Sequence, residues 1–104
     1  MLNQVVLVGR ISTINKEIMN RDEENKRFTT IVIATPRSFK NEEGEYDTDF
    51  IRIKLIGVVA ENTLEYCSQG DLIGIKGRIQ TTGQNNVIEI IAEKVTFLSS
   101  KKRD

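Results

Sequence analysis

The run Asp49-Phe50-Ile51-Arg52-Ile53-Lys54-Leu55-Ile56 holds the residues whose types and spacing best fit a chemical task. Its alternation sends Ile51, Ile53 and Leu55 one way and Phe50, Arg52, Lys54 and Ile56 the other, because successive side chains of a strand face opposite sides of the sheet. The first set is wholly aliphatic and can be core. The second joins a ring, two cations and an aliphatic. That combination suits a flexible polyanion with flat bases, since the ring can stack and the cations can neutralise. A second reading stays open here: Arg52 and Lys54 keep an exposed strand soluble, and Phe50 packs beneath a loop.

Reactive chemistry has few candidates. The chain has no histidine and a single cysteine, Cys67. Nucleophiles of the Ser–His and Cys–His kinds are thereby excluded, and one Cys alone cannot build a zinc site. Nor can it form an internal disulfide, which fits a reducing compartment. Paired carboxylates occur only in acidic loop-like stretches, and there is no Walker-type glycine loop. The expectation is no enzyme, no cofactor and no metal. Net charge is zero over 104 residues, which by totals counts against a nucleic-acid binder. The distribution says more: acid gathers at Asp22–Glu24 and Glu42–Asp49, while Arg10, Arg37, Lys40, Arg52, Lys54, Lys76, Arg78 and the tail supply cations, so one face can be locally positive. No apolar run approaches the roughly 20 residues a bilayer span needs. Met1-Leu2-Asn3-Gln4 lacks a basic leader segment. A cytoplasmic protein without membrane contact is expected.

The elements that must position these groups can be read from periodicity. Strands are expected at Val5–Ile11, Phe28–Thr35, Asp49–Ile56, Leu72–Gln80 and Val87–Leu98, with Pro36 stopping the central ladder of the second. Gly9 predicts a bend, and Ile73, Ile75 and Ile79 predict the inward face of the fourth strand. The one helix expected is Val59–Cys67, with Val59, Thr63, Tyr66 and Cys67 on its inner stripe, Ala60 and Leu64 adjacent, and Gly70 as a left-handed cap. Phe28, Phe97 and Tyr66 read as core, and Cys67 as a small buried hydrophobe. Thr82–Asn86 reads as a tight turn. One domain at 1–98 and a short basic tail at 99–104 that frays are expected. Three strands, a short helix and two strands predict an all-β OB-fold, a five-stranded Greek-key barrel. An immunoglobulin-like sandwich would want seven strands. An SH3-like barrel is a closer rival but normally lacks a two-turn helix at that point.

Met1–Arg10, Thr48-Asp49-Phe50-Ile51 with Ala60-Glu61-Asn62, and Gln69–Leu72 running into Gly77-Arg78-Ile79-Gln80-Thr81 together resemble the bacterial single-stranded DNA-binding protein family, in its order and spacing, from Met1 to about Phe97. The resemblance implies a DNA-binding core that wraps single strands over an oligomer, usually a tetramer. It places Phe39 and Phe50 at stacking positions. It puts Arg52, Lys54, Lys76 and Arg78 on groove-lining strands, Arg10 and Arg37 at the sugar–phosphate chain, and Lys40 beside Phe39. Ile56 stands where many members carry a third ring, and an aliphatic can still pack on a base. Val58 and Gln69 replace common lysines, and the hairpin at Thr82–Asn86 lacks the family's basic and aromatic residues. The long polar linker and acidic tip that recruit replication and repair enzymes are absent after Asp104, so the chain resembles the isolated core. Weaker binding per domain, recovered by oligomeric avidity, follows. The apolar first strand implies association of two copies across a two-fold axis, with a homotetramer expected and a dimer possible. The implied role is sequence-independent protection of single-stranded DNA in replication, recombination and repair, in a nucleoid-associated protein. The alternative is a dimeric assembly factor like primosomal replication protein N.

Overall fold

Aliphatic side chains at every second position of successive strands close one core, and the register of those strands decides which side chains are left outside it. A computed structural model describes residues 1–83 and 85–101. In chain order the elements are β1 (Val5–Thr13), β2 (Asn20–Arg21), β3 (Arg27–Lys40), β4 (Tyr46–Ile56), α1 (Val58–Tyr66), β5 (Leu72–Thr82) and β6 (Val87–Ser99). The sheet runs β1-β5-β6-β4-β3-β2, and a β1–β3 pairing closes it into a ring. All neighbours are antiparallel except β4 and β6. This is the OB-fold barrel expected, with one short additional strand, β2, formed where a polar loop was expected. No described helix is long and apolar enough to cross a membrane.

Inside the ring lie Ile31 and Ile33 of β3, Ile53 and Leu55 of β4, Ile73 and Ile75 of β5, and Ile11 of β1. Burying an aliphatic side chain of this size contributes about 1.5–3 kcal/mol, so these alternating positions dominate the stability. The helix caps the barrel through Ala60, Thr63 and Leu64. Thr63 and Cys67 of the expected stripe and the adjacent Ala60 and Leu64 are buried, Val59 packs against the core, and of these residues Tyr66 alone is exposed. With helical neighbours three and four apart, Ala60, Thr63, Leu64 and Cys67 make one stripe, and Tyr66 falls off its edge. Cys67 is buried, and that desolvation pushes its thiol pKa up. The Cys67 N–H donates to the Thr63 carbonyl and ends the helix, whereas Gly70 belongs to the turn into β5, where the Asp71 N–H donates to the Ser68 carbonyl.

Three further expectations are corrected by the register. Pro36 does not end its strand: β3 continues to Lys40 and pairs Pro36 with Thr48. The last β3 pairing with β1 on its other edge is Arg10 with Ala34, so the missing proline N–H faces an unpaired edge and costs no ladder bond. Ile79 is exposed rather than inward. β5 pairs with β1 no further than Gly77, so Ile79 lies past the edge of the closed ring. Phe97 is also exposed, on the outer end of β6. Gly9 is a point of close approach between β1 and β3. A Cβ there would lie 2.7 Å from both the Ala34 carbonyl oxygen and the Thr35 hydroxyl. Of the expected basic tail, the Lys101 N–H donates to Asp71, and residues 102–104 lie outside the described residues.

Candidate nucleic-acid interface

Antiparallel pairing puts opposed residues on the same face. Phe50, Arg52, Lys54 and Ile56 on β4 stand opposite Ala34, Val32, Thr30 and Phe28 on β3, and this shared face is the outside of the barrel. Arg10 pairs with Ala34 in turn. One row therefore runs Arg10–Ala34–Phe50 across three strands, about 10 Å at the usual strand spacing. Val87 and Ile88, at the start of β6, flank Arg52 and Lys54 and are exposed. Sequence reasoning missed them as part of this face. Each is aliphatic in an aliphatic run, and only the β4–β6 pairing reveals their position.

Phe50 is 66% exposed and Phe39 is 62% exposed. Neither ring lies in the core, nor does a loop cover Phe50. Phe50 stands in the last row that β1 shares, and Phe39 lies beyond it, where β3 and β4 extend past β1 as a two-stranded ribbon. Between the Pro36–Thr48 and Lys40–Tyr46 pairs, β3 carries two extra residues. Lys40 falls on the Phe50 side of the ribbon, 5.8 Å from the Tyr46 ring centroid. By alternation Phe39 lies on the other side, which it shares with Asp47.

The cations differ in how they are engaged. Arg37 holds Asp49 with two charge-assisted bonds, Nε to Oδ2 at 3.1 Å and Nη2 to Oδ1 at 2.9 Å, and reaches Asp47 at 3.7 Å. The bonds to Arg37 lower the Asp49 pKa and raise that of Arg37, so this guanidinium is neutralised within its own ribbon. Arg78 donates to Glu93 at 3.3 Å and to the Gln80 side chain at 3.1 Å. Lys54 is 13% exposed and sits between Asp22 at 3.6 Å and Glu89 at 4.0 Å. The Asp22 carboxyl is held below its usual range, first by the Lys26 backbone N–H. Arg10 donates to the Gly70 carbonyl at 3.0 Å. Arg52, Lys40 and Lys76 make no ion pair among the described residues.

The strands thus bring Phe50, Arg52, Lys54 and Ile56 together, with Arg10 one strand away and Arg78 along the flank that Lys54 and Ile56 also line. Lys40 stands further out on the same side, and Arg37 and Phe39 are on the ribbon. Lys76 is placed elsewhere. It pairs with Val6 on β1 and with Lys94 on β6, on a surface with exposed Val6 and Val8. Among the described residues no cluster of three metal-ligating side chains occurs.

A model of the Single-strand binding protein family matches residues 2–98. The chain is 36% identical over 118 residues to Single-stranded DNA-binding protein B of Bacillus subtilis (strain 168), spanning 100% of this chain and 96% of that one. It is 34% identical over 110 residues to the Single-stranded DNA-binding protein of Staphylococcus epidermidis, spanning 100% and 82%. A crystal structure of the mitochondrial single-stranded DNA binding protein Rim1 from S. cerevisiae matches with a TM-score of 0.72 at 20% identity, over 96% of this chain and 97% of that one. At that identity the likeness concerns the fold.

Proposed function

The chain belongs to the single-strand binding protein family, and from that premise we propose that it binds single-stranded DNA without reading base sequence. The observation that carries this is the pair of exposed rings, Phe39 and Phe50, the second on a barrel face that also presents Arg52. Bases stack on the rings whatever their identity, because every base has a π face. Arg52, Lys40 and Arg10 meet phosphates, and Ile56, Val87 and Ile88 give apolar flanks. Since the rings lie on opposite sides of the β3–β4 ribbon, a bound strand passes over the ribbon rather than along one face. Residues 1–98 form the binding domain in this reading, and protection of exposed strands in replication, recombination and repair is its use, in the cytoplasm at the nucleoid. An assembly factor of the primosomal replication protein N kind draws no support from the relatives.

Arg37, Lys54 and Arg78 already face carboxylates, which leaves three readily presented cations per protomer. Each neutralised phosphate contributes about −0.7 to the log–log salt slope on single strands, so these three cations contribute about −2 per protomer. Anisotropy titration of fluorescein-labelled oligo-dT at two salt concentrations measures it. No binding at low salt overturns the proposal.

Oligomerisation belongs to the same reading. Before Arg10, β1 pairs with β5 on one edge only, and Val6 and Val8 are 69% and 51% exposed. A second copy of β1 across a two-fold axis covers both the open edge and the apolar face. Two such dimers make the tetramer we propose. Light scattering after size exclusion is expected to give the mass of four chains; a mass of one chain at micromolar concentration would refute it.

A further inference from the structure

Phe28 was expected in the core because it opens an apolar run. The register places it differently. Phe28 stands opposite Ile56, on the outward face that carries Phe50, Arg52 and Lys54. Its inward neighbours Thr29 and Ile31 are buried, whereas Phe28 is only partly so. What lies over its ring is the Lys54 ammonium, 4.6 Å from the centroid. Cation–π attraction favours that placement, and the ring face it covers is the kind of surface on which a base stacks.

Lys54 is caged rather than fastened. Its distances to Asp22 and Glu89, 3.6 and 4.0 Å, are both too long for hydrogen bonds. The Glu89 Oε1 oxygen is buried with no hydrogen-bond partner among the described residues. A phosphate oxygen would offer Lys54 the short charge-assisted bond that neither carboxylate gives it. The Lys54 stem is flexible enough to swing from the ring to such an oxygen.

Resting on the single-strand binding reading, we propose that Phe28 is a third base-stacking platform, capped by Lys54 in the unbound protein and uncovered when a phosphate draws Lys54 aside. The ligand at this site is one nucleobase of the bound strand. Its position, about 20 Å along β4 from the Phe50 row at the usual rise per residue, extends the track to the end of the strand nearest α1.

The chain has no tryptophan, so a single tryptophan reports locally. Phe28→Trp and Phe50→Trp are each titrated with oligo-dT by emission, while anisotropy of labelled dT on the unaltered protein reports binding independently. Quenching of both variants is expected, together with a roughly tenfold weaker affinity for Phe28→Leu, which keeps an apolar side chain but removes the stacking face. Affinity is measured well below the melting temperature of Phe28→Leu, so lost stability does not enter. Quenching in Phe50→Trp alone, with Phe28→Leu binding within twofold of the unaltered protein, overturns the third platform and leaves the function standing. Absence of labelled-dT binding by the unaltered protein overturns the function itself. Should Phe28→Trp fail to fold, the Phe28→Leu affinity decides alone.

Discussion

Replacing Phe39 and Phe50 together with alanine is expected to weaken oligo-dT binding by roughly thirtyfold or more, while the protein melts within a few degrees of its normal temperature. Each base–aromatic stack contributes about 1–3 kcal/mol, so losing two costs on the order of 2–6 kcal/mol, and each 1.4 kcal/mol is tenfold. The rings are 62% and 66% exposed and neither lies in the core, so the truncations leave no cavity. Exposed substitutions of that kind usually change stability by no more than about 0.5 kcal/mol. The separation of the two readouts is the point. If Phe50 instead packed structurally, alanine there would lower the melting temperature and spare binding. A double variant that binds dT within threefold of the unaltered protein would end the stacking account. Single variants place the effect on one side of the ribbon or the other.

The barrel was legible because β4 alternates without interruption. Ile53 and Leu55 are buried and Phe50 and Arg52 are exposed, and a period of two admits only one such assignment once a core exists. The exposed pair Phe39 and Phe50 follows from the same logic. Phe28 marks the limit. In Phe28-Thr29-Thr30-Ile31-Val32-Ile33-Ala34 both parities contain apolar residues, so alternation alone does not say which face is inward. The pairing of β3 with β4 decides it, and that pairing is a long-range fact. Tyr66 shows the same limit on a helix, where a shift of one position moves a side chain by 100°. The charges were legible as a list but not as partners. Asp22 is 32 residues before Lys54, and only the folding of the β2 segment over β4 brings them to 3.6 Å. Arg37 was read as a contact for DNA from its place in the chain. The ribbon's antiparallel register sets Asp47 and Asp49 across from it, which no local pattern announces.

Gly77→Ala is expected to do the most damage to the fold of any single methyl added to this chain. At Gly77 the β5–β6 ladder shifts register, and the barrel turns its corner there. A Cβ built on Gly77 would overlap the Ile91 carbonyl oxygen and would lie 2.9 Å from its carbon. These are backbone atoms of the neighbouring strand, so no side chain can swing away, and relief requires β5 and β6 to separate. Ile91 and Ala92 are themselves buried, so the separation would open the core. Overpacking a core that can relax costs about 1–3 kcal/mol; here the obstruction is main chain, and more than about 3 kcal/mol is expected. Against a total stability of about 5–15 kcal/mol, that lowers the melting temperature by roughly 12 °C or more for a domain of this size. Gly74→Ala is the matched control, three residues earlier on the same strand. Its Cβ would meet nothing closer than 3.8 Å, a Leu98 methyl, and alanine loses less backbone entropy than glycine on folding. Gly74→Ala should therefore melt at or slightly above the normal temperature. Thermal denaturation followed by circular dichroism reads both. Equal melting temperatures for the two variants would mean that β5 and β6 can part at Gly77 without cost, and the corner would not be what holds the strands in register.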